Sequence, residues 1–146
     1  MKESFEIIKE EYNPITGETI VTVNTNYGAF TGIVKLDDID AQYPSLYQGH
    51  QLALSKALRK YAKQMVLITR EKIQPLKAVL AQCEWADENT NAFVYGKATY
   101  LIKKEIQKLE KELTMWQKRV NAMSSTILTR INARDKLVKA YLDKNK

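Results

Sequence analysis

The chain has 146 residues, of which 45% are hydrophobic, and its 23 Lys and Arg residues exceed its 17 Asp and Glu residues to give a formal net charge of +6. Such a length and composition are typical of one folded, helix-rich unit and exclude a disordered chain. A purely apolar run such as Met65 to Ile68 is far shorter than the roughly 20 residues of a membrane span. Met1 to Glu10 also lack the apolar stretch of a signal peptide, so we expect a cytoplasmic protein that does not enter the membrane.

Residues 5–36 predict a three-stranded antiparallel β-meander. Three segments of this range are rich in β-branched and aromatic residues, which favour strands: Phe5 to Tyr12, Glu18 to Thr25 and Ala29 to Leu36. Short turn segments separate them. Each of these contains a glycine, Gly17 or Gly28, that can supply the positive φ of a short hairpin loop.

The apolar residues of these strands indicate a buried face. Ile20, Phe30 and Val34 fall on alternate positions of their strands, which predicts that they share this face. Gly32 in the third strand predicts a β-bulge or a close approach by a helix. Because a three-stranded sheet with one apolar face is not stable alone in water, we expect it to pack on the helices that follow.

The link between sheet and helices carries three carboxylates, Asp37, Asp38 and Asp40. Carboxylates this close together could bind a hard cation, but the link has neither the glycine nor the distal glutamate of a calcium loop. Acidic residues just before a helix are more simply explained as partners of its N-terminal N–H groups. Cys83 is the only cysteine, which excludes an intramolecular disulfide and a cysteine zinc site. We therefore predict no metal site.

Two long helices are predicted after the link, at about residues 45–86 and 91–142. The first carries a heptad rhythm of apolar residues: Leu54, Leu58, Tyr61, Met65 and Ile68. The rhythm resumes at Ile73 after a shift of one residue, beside Pro75. Because proline removes a helical hydrogen bond and crowds the preceding turn, we expect a kink or a short break near Arg70 to Gln74.

The second helix carries the strongest periodic pattern of the chain, which we term the association seam. Its apolar residues are spaced alternately four and three apart, as in a coiled coil: Ile102, Ile106, Leu109, Leu113, Trp116, Val120, Met123 and Ile127. Two helices of similar length with a short connection predict an antiparallel hairpin whose seams face each other. Because a lone hairpin covers the outer sides of its seams only in part, we also expect a homodimer.

The net charge of the chain changes sign at about residue 44. Residues 1–44 carry 3 basic and 8 acidic residues, a net charge of −5, whereas residues 45–146 carry 20 and 9, a net charge of +11. The division coincides with the change from strand to helix pattern. The predicted fold is therefore α+β and mainly α: an acidic β-meander (residues 1–44) packed on a basic, antiparallel helical hairpin (residues 45–146), in one folded unit.

The basic charge concentrates at the hairpin end away from its turn, where the sheet is attached. Either the sheet folds onto the basic helices and neutralises part of their field, or it projects and leaves a basic surface free for an anionic partner. The candidate partner-binding residues are cations of this end and tyrosines near the sheet-to-helix junction: Lys56, Arg59, Lys60, Lys63, Arg130, Arg134, Lys139, Tyr27, Tyr43 and Tyr47.

The residue types of the chain and their spacing give little support for a catalytic site. His50 is the only histidine, and no Ser, Cys or Asp is placed around it in the pattern of a nucleophilic triad. There is no phosphate-binding glycine loop and no paired metal motif. We predict a protein that is not an enzyme and needs no cofactor.

One segment of the chain resembles a known family. Tyr27 to Gly32 contains a Gly-x-Phe-x-Gly core, followed by the acidic Asp37 to Asp40, by Gly49, and by Ala53 and Ala57 on a helix. Over about residues 18–62 the chain resembles a family of small uncharacterised proteins from phages and prophages of Gram-positive bacteria. The resemblance implies an origin in a mobile element, whose small basic and coiled-coil proteins commonly act by binding, and a place in the host cell cytoplasm.

Three functions from different classes stay open. The favoured one is a non-enzymatic interaction protein with a protein partner, for example an inhibitor of a host factor such as a defence nuclease. The second is a nucleic-acid-binding accessory protein, for which the charge of +11 over residues 45–146 is the evidence. No recognition-helix motif or interleaved aromatic residue supports it. The third is a structural or assembly factor of a virion.

Overall fold

The structure is a computed structural model that describes residues 5–35, 46–90 and 96–144, without the side chains of residues 46–48, 90, 138 and 141. In this part of the chain, three strands precede two long helices: β1 (Phe5–Asn13), β2 (Glu18–Thr25), β3 (Gly28–Lys35), α1 (Leu46–Thr90) and α2 (Gly96–Lys144). The predicted fold class, α+β and mainly α, is confirmed.

The strands form one antiparallel sheet in the order β1-β2-β3. The first turn is closed by Asn13, whose carbonyl oxygen accepts a hydrogen bond from Gly17 N at 2.8 Å and whose Oδ1 accepts one from Ile15 N at 2.9 Å. In the second turn, Thr25 Oγ1 donates to the carbonyl oxygen of Gly28 at 2.8 Å. Gly17 and Gly28 have φ angles of 73° and 115°, so the predicted role of both glycines is confirmed.

The buried face of the sheet differs from the prediction at one residue. Val21, Val23 and Val34 are buried. Ile20, predicted on the same face, pairs instead with the exposed Ile33, and the alternation of side chains along a strand places both on the opposite face. The prediction for Ile20 is therefore wrong, whereas Phe30 pairs with the buried Val23 as expected for the core face.

Helix α1 lies directly against β3 at Gly32. A Cβ atom added to Gly32 would overlap the carbonyl oxygen of Ala53 and lie 2.8 Å from the backbone nitrogen of Ala57. Both alanines are fully buried, and their small side chains permit the contact. The expected close approach of a helix at Gly32 is confirmed.

The chain divides into two compact units. The first, which we term the sheet unit, joins Met1–Tyr61 with Arg119–Lys146, and the second, the helical unit, comprises Ala62–Lys118. At about residue 44 the net charge of the sequence changes sign. The boundaries of the two compact units lie elsewhere, after Tyr61 and before Arg119.

Each unit has its own apolar core. In the sheet unit, a buried cluster contacts Ile127 and Ile131 of α2, and its members are Val21, Val34, Leu52 and Ala53. In the helical unit, the buried apolar residues are Ala62, Met65, Val66, Ile73, Ile106, Leu109 and Trp116. The helices of this unit run antiparallel, since Lys77 pairs with Glu110 and Glu84 with Lys103.

Helix α1 continues through Pro75 without interruption. Gln74 and Pro75 are exposed, so the proline lies on a solvated side of the helix, where water can bond to the carbonyl group that loses its N–H partner. The predicted alternative of a short break is therefore wrong. The helices also extend past their predicted ends, because α1 ends at Thr90 and α2 ends at Lys144.

Two further features concern the described residues only. None of their helices is long and apolar enough to cross a membrane. Within the same residues, no group of three or more His, Cys, Asp or Glu side chains could hold a metal ion. The acidic link, Asp37 to Asp40, lies outside the described residues.

Candidate functional site

A groove between α1 and α2 is the candidate site of the sheet unit. Its volume is about 510 Å³. Helix α1 contributes Lys56, Arg59 and Lys60, and helix α2 contributes Ser124, Ile127, Leu128 and Ile131. One wall of the groove is therefore cationic and the other is largely apolar.

The spacing of the lining residues explains how two helices form these walls. Arg59 and Lys60 lie three and four positions after Lys56, which places all three on one side of α1. On α2, Ser124 lies four positions before Leu128 and seven before Ile131, so these side chains also share a face. The two walls follow directly from helical periodicity.

Two of the three cations are held by bonds to neighbouring elements. Arg59 Nε donates a hydrogen bond to Ser124 Oγ at 2.7 Å, and Ser124 Oγ donates to the carbonyl oxygen of Val120 at 2.9 Å. Lys60 Nζ donates to the carbonyl oxygen of Thr31 at 2.8 Å. These bonds order the cationic wall before any ligand arrives.

The apolar wall is partly anchored in the core and partly exposed. Ile127 and Ile131 are half-buried and pack against the core cluster of the sheet unit. Leu128 lies between them in sequence and is 60% exposed. Leu128 is therefore exposed to solvent in the groove, beside two isoleucines that are held in place by the core.

No carboxylate balances the cationic wall within residues 5–35, 46–90 and 96–144. The ion pairs of this part of the chain do not involve Lys56, Arg59 or Lys60, and none of the described groove residues is acidic. The groove thus combines positive charge with exposed apolar surface.

The other predicted cations are not lining residues of the groove. Arg130 and Arg134 lie on α2 in the sheet unit and are half-buried, and the buried Nε of Arg130 has no hydrogen-bond partner among the described residues. Lys139 is exposed on the same helix. Lys63 is exposed but belongs to the helical unit, so sequence proximity to Lys60 does not make it part of this site.

Of the three predicted tyrosines, the structure describes the side chain of Tyr27. It is 47% exposed in the turn between β2 and β3, whereas Tyr43 and the side chain of Tyr47 lie outside the described part. Burial, and to a smaller extent the Tyr27 phenol, raises the pKa of Tyr61 above its usual value. Tyr61 also packs on Phe30, with ring centroids 5.4 Å apart, so this aromatic group contributes packing to the sheet unit.

The association seam is distributed over both units. In the helical unit, Ile106, Leu109 and Trp116 are buried, and Ile102 and Leu113 are half-buried. In the sheet unit, the seam residues are all half-buried: Val120, Met123 and Ile127. Much of the seam surface is thus covered within a single chain.

His50 joins two elements of the sheet unit. Its Nε2 lies 3.5 Å from Glu10 Oε1, which connects α1 to β1. The pair is partly exposed and lies outside the residues that line the groove.

Sequence reasoning named Ile127 but missed the other residues that α2 contributes to the groove. Ser124, Leu128 and Ile131 fall outside the predicted seam, which ends at Ile127. The signal that could have found them is the width of the apolar stripe, because Ile127, Leu128 and Ile131 together cover more than the narrow seam of a coiled coil.

None of the protein-family models, curated proteins or solved structures compared with this chain matches it.

Proposed function

We propose that this chain is a non-enzymatic interaction protein of phage type that holds a protein partner in the groove of the sheet unit. The observation that carries the proposal is the exposed Leu128 beside three cations that no described carboxylate neutralises. Burying the 60% of Leu128 that is exposed contributes about 1–2 kcal/mol, and the surrounding charge gives the contact its specificity. Inhibition of a host factor such as a defence nuclease is one form that this binding would take.

The apolar wall favours a protein over a nucleic acid. Phosphate groups satisfy cations but offer no surface that would cover Ile127, Leu128 and Ile131. Single-stranded nucleic acids are commonly held by aromatic side chains on which bases stack, and none of the described groove residues is aromatic. A protein surface with apolar and acidic residues satisfies both walls.

The proposal predicts that one substitution on the apolar wall separates the protein from its partner. The immobilised wild-type chain should capture a protein from a lysate of host cells, and the captured protein is identified by mass spectrometry. The capture should persist after the lysate has been treated with nuclease. Leu128→Glu should reduce this capture at least about tenfold, since it places a charge where an apolar contact is needed.

A matched control is provided by Leu101→Glu. Leu101 is 54% exposed on the same helix but lies in the helical unit, so its substitution should leave capture unchanged. Equal capture by wild type and Leu128→Glu would show that the partner does not bind in the groove.

Nucleic-acid binding is the second candidate, favoured by the convergence of Lys56, Arg59 and Lys60 on one groove. It predicts that arbitrary duplex DNA binds and that its affinity falls steeply between about 50 and 200 mM salt, because each neutralised phosphate releases counterions. Under the proposed protein-binding function, the dissociation constant for DNA at physiological salt should be no lower than about 100 μM. Fluorescence anisotropy with a labelled duplex measures the difference.

The homodimer and the assembly role in a virion stay predictions. Ile106, Leu109 and Trp116 of the seam are already buried in one chain, so a second copy would have to use other surface for most of its contact. The phage origin rests on the resemblance over residues 18–62.

A further inference from the structure

The shape of the groove restricts the kind of element that can fill it. Its walls are two α-helices, whose interior backbone N–H and C=O groups are bonded within each helix. An extended peptide binds well where it can add a strand to a sheet edge, and helical walls offer no such edge. A helix, by contrast, satisfies its own backbone and brings only side chains to the walls.

The dimensions of the apolar wall suit a helix. Ser124 to Ile131 spans about 10 Å along α2 at 1.5 Å per residue, which is close to two helical turns. An occupant helix presents side chains three and four residues apart on one face, so two consecutive apolar positions would meet Leu128 and Ile131. Packing a third helix into the groove between two others follows the ordinary geometry of helix bundles.

The cationic wall determines the charge of the occupant. Arg59 uses Nε to bond Ser124 Oγ, which leaves its terminal guanidinium nitrogens to donate to a ligand. Lys60 uses one donor for Thr31 O, and its ammonium group has further donors. Because these side chains are already ordered, pairing them with carboxylates costs less conformational entropy than ordering two free side chains would.

From these features we infer that the groove binds an amphipathic α-helix of a partner protein, with Asp or Glu residues along the flank that faces Lys56, Arg59 and Lys60. The inference rests on the proposed function and specifies the partner element at the same site. The apolar stripe of that helix covers Leu128 and Ile131.

The test is a selection from a displayed library of peptides with randomised sequence, carried out with the full chain at physiological salt. The enriched peptides should have apolar residues at helical spacing and Asp or Glu on one adjoining flank. Leu128→Glu should weaken binding of an enriched peptide at least about tenfold, and Leu101→Glu should leave it unchanged. Circular dichroism of each variant verifies that the fold is retained.

Reversing the charge of Lys56 tests the predicted charge of the partner helix directly. Lys56 makes no ion pair with a described residue, so Lys56→Glu changes the groove without removing a described ion pair. It should weaken the acidic peptide about tenfold and strengthen a peptide in which the flanking carboxylates are replaced by lysines. A merely structural role of Lys56 would not reverse the preference.

Several results would overturn the inference. Enriched peptides that are basic or lack helical spacing, binding that is insensitive to Leu128→Glu, or no enrichment at all would each do so. If host-protein capture still depends on Leu128 in that case, the proposed function survives and only the helical occupant is lost. A dimer that Leu128→Glu dissociates in sedimentation, without any enriched peptide, would assign the groove to a second copy of the chain.

Discussion

Replacing Gly32 with alanine should lower the free energy of unfolding by about 3 kcal/mol, as measured by urea denaturation followed by circular dichroism. The added Cβ would overlap the carbonyl oxygen of Ala53 and lie 2.8 Å from the nitrogen of Ala57. Both atoms belong to the helix backbone, so no side-chain rotation can relieve the overlap. Helix α1 and strand β3 would have to move apart, which would expose Val21 and Val34 of the core cluster.

The control is Gly49→Ala, which tests the same substitution against a movable neighbour. A Cβ at Gly49 would lie 2.8 Å from Thr19 Oγ1, a side-chain atom that a small rotation about the threonine Cα–Cβ bond can move. Alanine also favours a helix over glycine by roughly 1 kcal/mol, so the net change at this site should be small. A Gly32→Ala variant as stable as the wild type would show that α1 does not contact β3 at this point.

The second large effect is expected at Trp116 in the helical unit. Trp116 is 5% exposed, and truncation of a buried tryptophan to alanine leaves a cavity that costs about 3–5 kcal/mol. Trp116→Ala should therefore destabilise the helical unit strongly. Thermal and urea denaturation followed by circular dichroism measure the loss.

Trp85 provides the matched control for this prediction, since the chain has two tryptophans and Trp85 is 66% exposed. Its backbone carbonyl accepts a hydrogen bond from Asn89 Nδ2, which the substitution leaves in place. Trp85→Ala should change stability by no more than about 0.5 kcal/mol. Equal losses for the two variants would contradict the assignment of Trp116 to the core.

The meander was predictable because its turns depend on local chemistry. Gly17 and Gly28 adopt the positive φ angles that short loops require, and the side chains of Asn13 and Thr25 bond within their own turns. Such interactions involve residues two or three apart. They are therefore visible in sequence, where contacts between distant residues are not.

The buried face of β2 was not predictable in the same way. Ile20 and Val21 are adjacent β-branched residues, so both faces of the strand carry apolar side chains. The choice depends on pairing with Gly32, which faces α1 and aligns with Val21. A tertiary contact thus decides between two faces that local preference leaves nearly equal.

The residues of the candidate site were also predictable only in part. Lys56, Arg59 and Lys60 were named from the sequence as candidate partner-binding cations, and all three line one wall of the groove. Nothing local indicated that Ser124 and Leu128 lie across from them, because that depends on the register between two helices. Register follows from packing along their whole length, and the heptad spacing alone allows several values.

The sheet unit is built from two segments that are far apart in the chain, Met1–Tyr61 and Arg119–Lys146. During synthesis, its three strands leave the ribosome before Ile127 and Ile131, which pack on their core, have been made. The helical unit is continuous in sequence, so it closes a shorter loop and has the smaller entropy cost. We therefore expect the helical unit to form first and the newly made sheet to stay partly uncovered until translation has passed Ile131.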